Sequence, residues 1–139
     1  MRFRVPNEAV ASSGHSNSSR FQVELRHLVD FALPDMSAVL STAWLIKWLK
    51  QMAREALRPF LYDGEASVCA EVGARHLAPT PLGSEVTCAA SVITAGGHVH
   101  FQVEASDGQE LAAHGVHRRA VISQAGFFEP VKRKQAAQS

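Results

Sequence analysis

The chain has 139 residues, 46% of them apolar and 19% charged, enough material for one packed core and too apolar for a disordered chain. Fourteen Lys and Arg against 13 Asp and Glu leave a net charge of +1, so no global pull toward nucleic acid is expected. The greasiest stretch, Ala38 to Leu49, is interrupted by Ser41, Thr42 and Lys47, which excludes a membrane span.

The first 19 residues end in Ser12-Ser13-Gly14-His15-Ser16-Asn17-Ser18-Ser19 and are expected to be a flexible segment without a signal peptide. Order is expected from about residue 20 to 134, with a short tail over 135–139. Phe21, Val23 and Leu25 alternate with polar residues as in a half-buried strand. Pro34-Asp35 marks a break. From Ser41 to Leu61, Leu45, Leu49, Met52, Ala53, Ala56, Leu57 and Phe60 recur at helical spacing, while Lys47, Lys50, Gln51, Arg54 and Arg58 lie opposite. Asp63-Gly64 is a turn signal.

The remainder reads as strands. Val68, Ala70, Val72 and Ala74 alternate up to His76, and Pro79, Pro81 and Gly83 follow. Val86 to Val92, Val99 to Ala105 and about Glu110 to Ile122 form three more runs, parted by Gly96-Gly97 and Asp107-Gly108. Such breaks predict an antiparallel meander. A parity slip at Gly115 predicts a bulge in the last strand. A long helix wrapped by one curved antiparallel sheet, an α+β architecture, would bury these faces. The free sheet edges favour a homodimer. Cys69 and Cys88 form no CxxC pair and are expected to be buried, reduced thiols in a cytoplasmic protein.

Three stretches carry a resemblance: His76-Leu-Ala-Pro-Thr80-Pro-Leu-Gly83, Phe101-Gln-Val-Glu-Ala-Ser-Asp107-Gly108 and Gly115-Val-His117-Arg-Arg119-Ala-Val-Ile122. In this order they resemble the hotdog-fold thioesterases, most closely the group around fluoroacetyl-CoA thioesterase. The match runs from Gly64 to Lys134 and, less sharply, back to about Ser41. The resemblance implies a homodimer with a sheet continuous across the interface and active sites between subunits. It also implies hydrolysis of a small acyl-CoA thioester without a cofactor. In that group a threonine at the start of the long helix, a glutamate two turns along it and a histidine at a strand end do the chemistry. Thr42 and His76 fall on the threonine and histidine; Lys50 stands at the glutamate, and Ala43 where a proline usually follows.

The residues themselves leave alternatives open. Thr42 sits where helix N–H groups favour developing negative charge, and its hydroxyl could attack or position water; it or Ser41 could equally be an N-cap. His76 is a candidate base or hydrogen-bond partner, or a structural strand-end histidine. Lys50 cannot accept protons as a carboxylate does, so it is read as a solvated helix-face residue or a contact to CoA phosphates. Asp35 and Glu55 are candidate replacement carboxylates, with helix-start and Arg-pairing roles as the plainer readings. Trp44 is a candidate wall of the acyl pocket, although Trp44 and Trp48 at i, i+4 also suit packing against the sheet.

Of seven histidines, His98, His100, His114 and His117 fall on neighbouring strands. A polar sheet face is favoured over a metal site. His117 and Arg119 read as framework or interface residues. If Lys50 has ended catalysis, the same fold would serve as a non-catalytic acyl-CoA-binding protein.

Overall fold

A computed structural model describes residues 15–29, 38–96 and 98–138. Asp35 and the Pro34-Asp35 break lie outside the described residues, as do residues 1–14.

Five strands, β1 (Ser16–Gln22), β2 (Glu65–His76), β3 (Glu85–Gly96), β4 (His98–Ser106) and β5 (Leu111–Ser123), form one antiparallel sheet in the order β1-β3-β4-β5-β2. Helix α1 (Thr42–Leu57) packs on one face and runs into a 3-10 turn at Arg58–Phe60. Pro59 in that turn has no N–H to continue the α-helical ladder. Leu45, Trp48, Leu49, Met52, Ala53, Ala56 and Leu57 make the buried stripe of α1. They meet Val86, Cys88 and Ala90 of β3 and Val99, Phe101, Val103 and Ala105 of β4. Leu49 and Met52 are fully buried, and each such side chain contributes about 1.5–3 kcal/mol of apolar burial. The expected hotdog architecture is therefore present.

The turn after β4 has a clear local cause. The Asp107 carboxylate accepts the N–H groups of Gln109 (2.9 Å) and Glu110 (3.0 Å), which holds its pKa below the usual range. Gly108 takes the left-handed φ of 89° that the reversal needs.

Several expectations are corrected. Residues 16–19, expected to precede the ordered part, belong to β1 and pair with Ser91 to Cys88 of β3. Backbone hydrogen bonds to a neighbouring strand order them despite their polar side chains, as suits an edge strand. Residues 135–138 likewise continue a second helix, α2 (Gln124–Gln138), rather than forming a tail; it has no buried residue. The bulge expected in the last strand around Gly115 is present but lies at Ala112, and further extra residues sit at Ala70 on β2 and Ile93 on β3, where the registers shift. A Cβ at Gly115 would collide with the Gly73 carbonyl oxygen, so the glycine there serves close strand approach.

The bulge at Ala70 reverses the parity of β2. Ser67 and Cys69 turn toward the helix before it; Val72, Ala74 and His76 do so after it. Cys69 is accordingly exposed to a cavity rather than buried, while Cys88 is buried as expected.

Candidate active site

Two side chains from distant parts of the chain meet at the start of α1. Ser41 is the N-cap, its extended backbone (φ -74°, ψ 148°) placing Oγ to accept the Trp44 N–H at 3.3 Å. That role relieves Thr42, the first helical residue, of capping. Its Oγ1 lies 2.8 Å from Nδ1 of His76, the last residue of β2. The backbone fixes this meeting from both sides. Ser41 N–H donates to the His27 carbonyl (2.8 Å), Leu40 N–H to Thr80 (2.9 Å), and Leu77 N–H to Ala112 (2.8 Å).

Burial lowers the His76 pKa, partly opposed by the nearby Ala78 backbone, so the imidazole is neutral at pH 7. Its Nε2 is buried with no hydrogen-bond partner among the described residues, whereas the Thr42 side faces solvent. A cleft of about 320 Å³ opens here, lined by Thr42 and His76 with Val29, Val39, Leu40, Leu77, Ala78 and Pro79. None of these lining residues is a carboxylate.

The other candidates lie elsewhere. Trp44 is not in the cleft lining; it meets His27 edge-on at 4.7 Å and has the Lys47 ammonium 4.4 Å from its ring centroid. Trp48 is almost wholly buried, stacked on Phe21 at 4.8 Å, and His27 stands edge-on to it at 4.8 Å. This His27 core role was missed in the sequence, where nothing in the local pattern separates it from a surface histidine. Its Nδ1 accepts the Glu24 N–H at 2.9 Å.

Lys50 lines a second, larger cavity of about 830 Å³ between α1 and the helix-side face of β2 and β5, together with Lys47, Arg54, Arg58 and Arg119. Glu55, in the same lining, accepts from Asn17 (3.3 Å) and Gln51 (3.1 Å), not from Arg54 or Arg58 as expected. The four-histidine patch, the less favoured alternative, does not assemble. Phe101↔His117 pairing places His117 on the buried face, whereas His100, opposite Arg118, belongs to the outer face. No group of three or more potential metal ligands occurs among the described residues. No helix among them is long and apolar enough to cross a membrane.

Comparison with known proteins agrees with this fold. The profile of the family described as fluoroacetyl-CoA-specific thioesterase matches residues 23–125. The fluoroacetyl-CoA thioesterase of Streptantibioticus cattleyicolor is 30% identical over 118 residues, 81% of this chain and 84% of that protein. Among solved structures, a thioesterase superfamily member from Thermus thermophilus superposes with a TM-score of 0.78 at 27% identity, covering 99% of both chains. A fluoroacetyl-CoA thioesterase variant in complex with fluoroacetate superposes at 0.77 with 26% identity, over 96% of this chain and 98% of that one. With its hotdog fold and a match spanning most of its length, this chain belongs to the fluoroacetyl-CoA-specific thioesterase family.

Proposed function

We propose that the chain is an acyl-CoA thioesterase that works as a homodimer on a small acyl group, with Thr42 and His76 as its catalytic pair. The carrying observation is the 2.8 Å contact between Thr42 Oγ1 and His76 Nδ1 at a helix N-terminus. A neutral imidazole accepts the hydroxyl proton at Nδ1, and the oxygen attacks the thioester carbonyl or directs a water to it. The free N–H groups of the first turn of α1 face the developing oxyanion, and the CoA thiol leaves with a proton. Trp44 and Lys50 would reach substrate only across a subunit boundary, Lys50 as a contact to CoA phosphate. The two open sheet edges, β1 and β2, support a dimer, since pairing an edge removes its unsatisfied N–H and C=O groups. The two free thiols support a reducing, cytoplasmic setting.

Thiol release from a panel of short, branched and aromatic acyl-CoAs tests the reading. Turnover lost in Thr42→Ala and His76→Ala, with a dimer in light scattering, is the expected result. No release from any substrate by the parent protein overturns it.

One observation favours a second reading: among the described residues the cleft lining holds no carboxylate, and Lys50, which the resemblance puts at the glutamate position, lines the other cavity. A non-catalytic acyl-CoA-binding protein would show affinity without turnover. Hydrolysis gained by Lys50→Glu in an inactive parent would favour this account.

A further inference from the structure

Cys69 is not an isolated thiol. Its Sγ lies 3.9 Å from Nδ1 of His117, whose Nε2 is 3.1 Å from Nη1 of Arg119. A guanidinium only donates, so Nε2 must accept and the imidazole proton sits on Nδ1, facing the sulfur. His117 is then an N–H donor toward Cys69 and cannot take the thiol's proton. Burial, with Arg119 and Lys50 nearby, pushes the His117 pKa down to about 4, consistent with a neutral ring.

Arg119 is only 4% exposed, and its partners among the described residues are Ser67 Oγ (2.9 Å), Ser67 O (3.0 Å) and His117; none is a carboxylate. Its buried charge is therefore not paired with a carboxylate among the described residues and faces the larger cavity. That cavity carries five cationic side chains against Glu55 and Glu65, and Cys69 opens into it. Glu65 is already engaged, accepting the Tyr62 N–H at 2.7 Å. β2 is an edge strand, yet Cys69 leaves it from the helix-side face, so pairing of that edge with a second copy leaves the thiol in the cavity.

We propose that Cys69 is a thiol-modification site that takes anionic low-molecular-weight disulfides. The Cys69 proton goes to solvent, and the thiolate attacks one sulfur of the incoming disulfide R–S–S–R. A Cys69–S–S–R bond forms and the R–S bond to the second sulfur breaks, releasing R–S⁻. Cys69 is oxidised to the disulfide level, and the departing sulfur is reduced to thiolate. A free thiol reverses the exchange. Arg119 and the His117 N–H hold the attacking charge, while Lys50 and Arg54 gather the anionic R group. Cys88, buried and with its pKa pushed up to about 12, is the internal unreactive control. This site does not depend on thioester hydrolysis.

The test treats the native full chain with glutathione disulfide, CoA disulfide, neutral hydroxyethyl disulfide and cationic cystamine, reading intact mass and the modified peptide over time. Both anionic reagents should add one R–S group at Cys69 roughly tenfold or more faster than the neutral one at low salt. High salt and the Lys50→Gln, Arg54→Gln double variant should shrink that advantage. Faster reaction with CoA disulfide than with glutathione disulfide assigns the site to CoA; equal rates assign it to anionic thiols in general. Equal or slower reaction with anionic reagents overturns the proposal, as does labelling at Cys88 or reaction only after denaturation. Cys69→Ser should abolish the adduct; persistence of an adduct in that variant also refutes the assignment.

Discussion

Acidification should unfold this chain in part through His117. Burial of its imidazole pushes its pKa from 6.5 down to about 4, with the charges of Arg119 and Lys50 adding to the shift. The unfolded chain takes up that proton near pH 6.5, whereas the native chain resists until about pH 4. Between those values the unfolded state binds more protons, so stability rises with pH. The contribution is complete above pH 6.5 and drains away as the pH falls toward about 4. Each pH unit in that window is worth about 1.4 kcal/mol, so the whole is about 3 kcal/mol of a total near 5–15 kcal/mol for an ordinary domain. Urea denaturation of the parent and of His117→Gln, from neutral pH to about pH 4, isolates this share. Gln cannot titrate, and its carbonyl can still accept from Arg119. The parent should lose about 3 kcal/mol more than the variant over that range. Parallel losses in the two proteins would refute the reasoning.

Other expectations follow from single positions. Gly115→Ala should cost at least about 3 kcal/mol in urea, because its Cβ meets backbone of β2 that cannot step aside. Gly73→Ala, with open space at its Cβ, should cost about 1 kcal/mol or less. Ser41→Ala should lower stability by about 1 kcal/mol and Ser41→Gly by only a few tenths, since glycine also suits an N-cap; equal losses would argue against the cap. If His76 is the base, hydrolysis should stay flat through pH 7 and fall only below its ordinary value of 6.5, because burial lowers its pKa. An inflection above that value would contradict the assignment.

Much of the fold is legible in the sequence because its cues are local. Asp107-Gly108 punctuates the meander through its own turn chemistry, and the apolar period from Leu45 to Leu57 requires a helix over a sheet. His76 stands out through the stretch of residues 76–83 and Thr42 through its place at the helix start, and the structure brings the two side chains within 2.8 Å. What was missed depends on distant neighbours. Ser16 to Ser19 form a strand only because β3 offers them backbone partners. The side of β2 to which Cys69 belongs depends on one extra residue, Ala70, against β5. At Gly115 a glycine needed for close approach to Gly73 gives the same local signature as a bulge. Trp44 and Lys50 look adjacent to Thr42 along the helix, yet rotation about its axis sends them to other surroundings.

The start of α1 is stitched in place by main-chain groups: Leu40 to Thr80, Ser41 to His27, and beyond them Gly83 to Val23. Backbone bonds of this kind are indifferent to most side chains. The 2.8 Å spacing of Thr42 and His76 is therefore set by the main chain and does not depend on which side chain occupies position 50, two turns along the helix. Such a scaffold lets the side chains around the pair vary without moving the pair itself.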